Sequence, residues 1–364
     1  MPPALSTKMK ALTYDGPGKT KVVDKPKPQI ENPNEAVLRM VRTTICGTDL
    51  HIVHGDVPTV EVGRTLGHEG IGVVEEVGSE VKNFKKGDKV VIAAVVACAK
   101  CTFCRKGMQD LCKHGGWQLG HLMDGTHAEY FRMPYADTGL YHVPYGVDER
   151  GLLVVSDTLP TGLEVGAIRG NVHPGCTVAI VGAGPVGLAA GLTSTLYSPR
   201  SITFFDLSHS RLELAKRMLP GASTHTINTS GVKGSDATRD LAKGLFDAEI
   251  DGFDVVMEAV GIPATFDVCQ NLVGKGGTIA NIGVHSTKVD LAIDRLWPRG
   301  TTLSMALVST HTIPRILDLL SVGKLVTAAL MVTHDFKFSE VQKAYDVFDR
   351  AAETKALKVN IEFE

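Results

Sequence analysis

The stretch Thr177-Val178-Ala179-Ile180-Val181-Gly182-Ala183-Gly184-Pro185-Val186-Gly187-Leu188 decides how this chain is built. A short apolar strand runs into a G-x-G-x-x-G pattern, and a helical stretch with apolar Val186, Ala189, Ala190 and Leu196 follows. The glycines permit a tight turn and a close backbone approach to a pyrophosphate, and the first amides of the next helix then face that anion. Alone, the pattern is a weak signal.

Its surroundings strengthen it. A second strand, Ser201-Ile-Thr-Phe-Phe-Asp206, ends in an acid 19 residues after Gly187. Asp206 is placed to accept hydrogen bonds from the 2′-hydroxyl of an adenosine ribose. The same charge would repel a 2′-phosphate, which favours NAD over NADP. The plainer alternative is that Asp206 caps a turn. Ser210-x-x-Glu213 reads as a capping box opening a helix with Leu212, Ala215 and Leu219 on one face. Strands are expected at 253–258 and 277–283, a helix at 263–273, and a further strand at 301–308. Repeated strand–helix units with nearly continuous apolar strands argue for an α/β, doubly wound parallel sheet of the Rossmann type over residues 156–300.

The first 155 residues have another texture. Segments 8–14, 35–42, 71–77 and 88–95 alternate like strands between Gly- and Pro-rich loops, and no helix of convincing period is visible before residue 150. Two clusters here carry chemistry. Cys46-Gly47-Thr48-Asp49-Leu50-His51, followed by Gly67-His68-Glu69, gathers a thiolate, two imidazoles, two carboxylates and a hydroxyl. Cys and His are preferred zinc ligands, and a catalytic zinc keeps one position open. A buried cysteine beside unrelated surface histidines is the alternative. The second cluster, Cys98, Cys101, Cys104 and Cys112, lies in a lobe at 95–115. Its thiolates can close around one zinc and leave no place for water or substrate, so the site would be structural. A redox pair or an iron–sulfur cluster competes with that reading.

The remaining segment returns to mixed texture. Helices are expected at 311–322 and 338–350 and a last strand at 358–362, so 301–364 is expected to rejoin the first domain. The full chain has 364 residues, a size that suits two domains. Its net charge of −2 and lack of a basic stripe argue against nucleic acid and membrane surfaces. The start of the chain lacks the apolar core of a signal peptide. The apolar run at 178–192 is full of Gly, so no transmembrane segment is expected. Seven cysteines, an odd number with four crowded together, fit a cytoplasmic metalloprotein better than a disulfide-bonded one.

Taken in order, CGTDLH at 46–51, GHE at 67–69, the four-Cys lobe, GTHAEYF at 125–131, SDTLPTG at 156–162, GAGPVG at 182–187 and Asp206 resemble the zinc-dependent medium-chain alcohol dehydrogenases. The resemblance covers nearly the whole chain and implies a GroES-like, mostly-β catalytic domain beside the dinucleotide domain. It further implies two zinc ions per subunit. Cys46, His68 and Asp157 would hold the catalytic one, with Glu69 as an alternate ligand or a supporting carboxylate. Many family members have cysteine at the third place, and Asp157 matches several bacterial secondary-alcohol enzymes. Thiolate plus carboxylate still neutralises Zn²⁺, and the metal should be slightly harder. By the same resemblance Asp49 orients His68, Thr48 contacts the substrate oxygen, and His51 relays the proton. Thr161, Val260, Gly283 and Val284 would meet the cofactor, with Arg211 near the adenosine ribose and Lys358 in a terminal segment that supplies a cofactor contact in relatives. Gly47 departs from relatives that carry a pyrophosphate-binding base there. Trp117 and Trp297 are candidates for the substrate pocket, with core packing as the alternative.

The implied activity is reversible hydride exchange between an alcohol, preferably secondary, and NAD, giving a ketone or aldehyde. Polyol, aromatic-alcohol or threonine oxidation on the same fold is the alternative, and a non-catalytic NAD-binding protein is a third reading. The implied partners are a small alcohol or ketone and further copies of the chain, as a homodimer or homotetramer.

Overall fold

In the computed structural model, which describes residues 8–247 and 249–364, strand Thr177–Val181 is buried along its whole length. It lies third in a six-stranded sheet. The spatial order is Thr224–Asn228, Ser201–Asp206, Thr177–Val181, Phe253–Glu258, Val273–Asn281 and Thr302–Met305, with every neighbouring pair parallel. The strand sequence thus reverses direction between Thr177–Val181 and Phe253–Glu258. In such a doubly wound sheet the crevice at the carboxyl ends of these strands is where a ligand can approach backbone amides. Phe205, Phe253, Val256, Phe266, Cys269, Leu272 and Ile279 belong to its core.

Several local expectations are corrected here. Strand Thr224–Asn228 and helix Ser235–Ala242 went unread because both are largely polar and only partly buried. The expected strand at 277–283 instead runs Val273–Asn281. The helix after Asp206 spans His209–Met218 with Ser208, not Ser210, at its N-cap. Asp206 accepts the Ser208 amide at 2.7 Å and turns the chain two residues earlier than the Ser210 pattern implied. The helix break that Pro160-Thr161-Gly162 would suggest is absent. Thr158–Thr161 continues into a π-helical turn, Gly162–Ile168. Pro160 sits in the first helical turn, where an amide has no intrahelical acceptor to lose.

The other unit comprises Met1–Asp157, Ser309–Lys324 and Met331–Glu364, while residues 301–308 and Leu325–Leu330 group with the parallel sheet. Its main sheet orders Val332–Lys337, Lys358–Glu362, Ala36–Thr43, Gly70–Val77, Lys89–Ile92 and Leu140–His142, and Tyr130–Met133 also pairs with Ala36–Thr43. All its pairings are antiparallel except the first. Lys8–Tyr14 and Thr20–Pro26 form a separate antiparallel pair.

Short helices interrupt the expected all-strand texture, the longest of them Gly47–His54. Gly47–His54 has only eight residues, too few to reveal a period. Its start is fixed by Asp49, whose Oδ2 accepts the Cys46 amide at 2.8 Å. Gly55, with φ 89°, ends it in the left-handed region that glycine enters without strain. Among the described residues no helix is long and apolar enough to cross a membrane.

Candidate active site

The register of two strands brings the candidate metal ligands together. Thr43 pairs with Gly70, so residues 44–46 leave the sheet beside 67–69. Ser156 joins the same end: its Oγ accepts the Gly70 amide at 3.0 Å, and its carbonyl accepts from Ala94 at 3.1 Å. That anchors the next residue, Asp157. One ligand atom each from Cys46, His68, Glu69 and Asp157 falls within 4.8 Å of the others. Cys46 Sγ lies 3.7 Å from Asp157 Oδ2, and His68 Nε2 lies 3.6 Å from the same oxygen and 3.9 Å from Glu69 Oε1. Ligands of a tetrahedral zinc sit about 3.3–3.7 Å apart, given metal–ligand bonds of about 2.0–2.3 Å.

Burial makes this set demanding. Glu69 is fully buried, and its Oε2 has no hydrogen-bond partner. An orphaned carboxylate oxygen costs free energy unless a cation meets it. The opposite oxygen, Oε1, is held at 2.5 Å by Lys358 Nζ, itself buried, which also donates to Ile45 O at 3.3 Å. The Glu69 carboxyl is pushed up to about 6, first by burial and then by Asp157, against the pull of Lys358 and His68. Lys358 is raised: burial opposes its charge, but Glu69 and the neighbouring acids prevail. One thiolate and one carboxylate balance a divalent ion, and Glu69 and Lys358 balance each other. The donor set therefore fits zinc.

Asp49 supports this arrangement from behind. Its Oδ1 accepts the Gly67 amide at 3.2 Å and lies 3.6 Å from His68 Nδ1, which leaves Nε2 turned to the ligand cluster. Burial works to raise Asp49, yet His68 and the Cys46 amide outweigh it and hold the carboxyl to about 2. Thr48 Oγ1 is 3.8 Å from Cys46 Sγ, on the same helix as His51. His51 is half-buried, and its Nδ1 faces Asp56 Oδ2 at 2.9 Å.

The four-cysteine set also converges within 4.8 Å. Backbone amides point at its sulfurs: Cys98 N to Cys112 Sγ at 3.3 Å, Cys101 N to Cys98 Sγ at 3.4 Å, and His114 N to Cys112 Sγ at 3.4 Å. Amides of Cys104 and Lys113 lower the Cys101 thiol to about 6, while burial pushes Cys104 up to about 12. Sulfurs this close cannot all ionise without a cation among them, which a tetrathiolate zinc provides. The cysteines form no disulfide.

In the parallel-sheet unit Gly182 has φ 104°, and a Cβ there would meet Val260 Cγ2 at 2.6 Å. A side chain at Gly187 would strike the Gly182 carbonyl. Gly184 is the N-cap and Pro185 the first residue of helix Pro185–Ser194, so Val186 and Gly187 follow in its opening turn. Arg211 Nη1 lies 4.0 Å from the place a Cβ on Gly184 would take. Asp206 Oδ2 accepts the Ala183 amide at 2.7 Å, so the acid braces the glycine turn as well as the Ser208 amide. The turn-cap alternative is thus real, and each oxygen keeps a further lone pair for a ribose hydroxyl. Val260 and Val284 are exposed, and Gly261 and Gly283 pack against one another between them. Sequence reasoning missed the acid that binds this corner. Buried Glu258 accepts from the amides of Val260 (3.0 Å) and Gly261 (2.9 Å) and from Thr265 Oγ1 (2.7 Å). An acid ending an apolar strand was the available signal. Thr161 is half-buried in the helix after Asp157. Trp117 packs on a core cluster, while Trp297 is exposed.

Two family models match the chain: "Alcohol dehydrogenase GroES-like domain" over residues 32–145 and "Zinc-binding dehydrogenase" over 185–322. A solved zinc-dependent alcohol dehydrogenase 2 from Streptococcus pneumonia, in its apo form, is 48% identical with TM-score 0.90, covering 98% of this chain and 99% of its own. An alcohol dehydrogenase of Cupriavidus necator is 31% identical, with 94% of this chain and 96% of that protein aligned. An L-threonine 3-dehydrogenase of Shewanella putrefaciens (strain CN-32) is 28% identical over 92% of this chain and 95% of its own length.

Proposed function

The chain belongs to the zinc-binding alcohol dehydrogenases, oxidoreductases that move hydride between an alcohol carbon and a nicotinamide dinucleotide, and from that premise we propose the residues that do so and the cofactor they select. Cys46, His68 and Asp157 hold a catalytic zinc, with Glu69 in reserve. Cys98, Cys101, Cys104 and Cys112 hold a structural one. The observation that carries this reading is the convergence of ligand atoms from Cys46, His68, Glu69 and Asp157, with buried Glu69 keeping one carboxylate oxygen orphaned.

Bound zinc supplies a Lewis acid that lowers the pKa of a coordinated hydroxyl and steadies the charge that develops on oxygen. The chain's own residues do the rest. Asp49 keeps His68 in the tautomer that presents Nε2. Thr48 accepts the hydroxyl proton of the alcohol and gives up its own to His51, which is steadied by Asp56 and passes a proton to solvent. Gly182, Gly184 and Gly187 admit a pyrophosphate to the helix N-terminus beside Arg211. Asp206 accepts from a ribose 2′-hydroxyl and repels a 2′-phosphate, so NAD is the preferred acceptor. Asp157 in its SDTLPTG setting tilts the substrate toward a secondary alcohol. The threonine dehydrogenase likeness keeps a 2-amino-3-hydroxy acid as a second reading.

Among the described residues the edge strand Thr302–Met305 has no outer neighbour in the sheet, and Ile293, Trp297, Met305 and Leu307 are exposed. A second copy pairing there gives a homodimer. A reducing, cytoplasmic setting suits seven unbridged cysteines.

The test is turnover by zinc-loaded protein with NAD or NADP on primary alcohols, secondary alcohols, polyols and threonine. Secondary alcohols with NAD should turn over fastest. His68→Ala should abolish turnover and leave NAD binding intact, and Asp206→Ala should erode the preference for NAD. Full activity in metal-free protein would sink the zinc assignment, and activity on threonine alone would select the second reading.

A further inference from the structure

We propose that His127, locked by Tyr345, is a positioning residue that sets the backbone of Cys46 and His68 at ligating distance; the proposal rests on the zinc reading above. His127 is fully buried on a segment laid along the chain that leads to His68. Gly125 N donates to Thr65 O at 2.9 Å, Thr126 N to Gly67 O at 3.0 Å, and His127 N to Leu66 O at 2.9 Å.

The ring makes three contacts. Its Nε2 lies 3.1 Å from the Thr44 carbonyl, two residues before Cys46. A carbonyl only accepts, so Nε2 carries the hydrogen. Nδ1 of the neutral ring is then an acceptor, and Tyr345 Oη donates to it at 3.0 Å. Burial holds His127 below the usual histidine range and Tyr345 above the usual tyrosine range, which keeps both groups neutral. The third contact is steric. A Cβ on Gly67 would lie 2.6 Å from His127 Nε2 and 2.7 Å from Cγ, and Gly67 has φ 89°. The ring therefore presses on the residue that precedes His68, and the same Gly67 donates its amide to Asp49.

One satisfied ring thus ties the approach to Cys46 and the approach to His68 into a single unit. Tyr345 brings the lock from a helix of the returning segment, Val341–Asp349, and its ring meets His127 edge-on at 5.7 Å and 86°. The role predicted is orientation of ligands, not filling of the core. Hydrogen bonds behind metal ligands are worth roughly 10–100-fold in metal affinity.

The experiment follows zinc release from holoenzyme into a chromophoric chelator, with the four-cysteine site as an internal control. His127→Phe keeps the ring and removes both hydrogen bonds. It should speed release from the Cys46 site by about 10–100-fold and leave the four-cysteine site unchanged. His127→Gln restores a donor toward Thr44 and should bring release back toward the parent. Tyr345→Phe should fall between them, and it carries the test if His127→Phe does not fold. Parental release rates in these variants, or loss of both metals together in step with melting temperature, overturn the proposal. A parent that holds only one zinc, in the four-cysteine set, overturns the zinc reading and this proposal with it.

Discussion

Lys358 shows how much one side chain can change when the chain folds. By resemblance it lies in a terminal segment that supplies a cofactor contact in relatives. In the fold the residue is only 2% exposed, and its amine binds Glu69 Oε1 and Ile45 O. A lysine in that position fixes Glu69 Oε1 and offsets the carboxylate's buried charge. Removing one member of a buried ion pair strands the other charge, at a cost of about 3–5 kcal/mol. Lys358→Met should therefore destabilise the protein by about that much in urea unfolding. Adding Glu69→Gln should recover part of the loss, and a double variant no better than the single one would remove the pairing from this account.

Elements here are positioned by polar devices that a hydrophobic pattern does not register. Glu35 stands at the entry to strand Ala36–Thr43 and is buried. It accepts from Glu31 N at 2.8 Å, Asn32 N at 3.0 Å, Asn32 Nδ2 at 2.8 Å and Arg132 Nη1 at 2.7 Å. Burial would raise its carboxyl, but the Asn32 side chain, the Glu31 amide and Arg132 outweigh it and leave the pKa below the usual glutamate value. A carboxylate whose folded pKa is depressed stabilises the fold above its unfolded pKa, and that stability is lost as pH falls through the folded value. Acidification below about pH 4 should therefore weaken this strand's anchor. Glu35→Gln should cost about 1–3 kcal/mol at neutral pH and flatten the acid limb of the stability curve. An acid limb identical to the parent's would show that another group causes it.

Across the whole molecule, assembly is the property most open to a direct check. The parallel sheet ends at Thr302–Met305, whose outer edge no strand among the described residues pairs, and an unpaired edge beside exposed apolar residues invites a partner. Met305→Lys together with Leu307→Lys should convert the proposed dimer to monomer in sedimentation velocity, with the fold intact by circular dichroism. A parent that sediments as a monomer, or a charged variant that stays dimeric, would place assembly elsewhere or nowhere.

The sequence by itself determined the α/β architecture, the glycine turn, the acid at its neighbouring strand end and both candidate ligand clusters. These depend on local chemistry: glycines where a turn or close contact needs them, an acid at a strand end, thiols at metal spacing. The first helix, Gly47–His54, escaped because two turns are too short to show a period, and strand Thr224–Asn228 escaped because it is a polar sheet edge. Asp157 joined the ligand set by resemblance alone. Only the tertiary structure gave its physical reason, when Ser156 tied to Gly70 and delivered the next residue to the sheet end holding Cys46 and His68. The same holds for Lys358 on Glu69 and for His127 beneath Gly67. Each pairs residues far apart in the chain, and strand register and burial decide such pairs where spacing cannot.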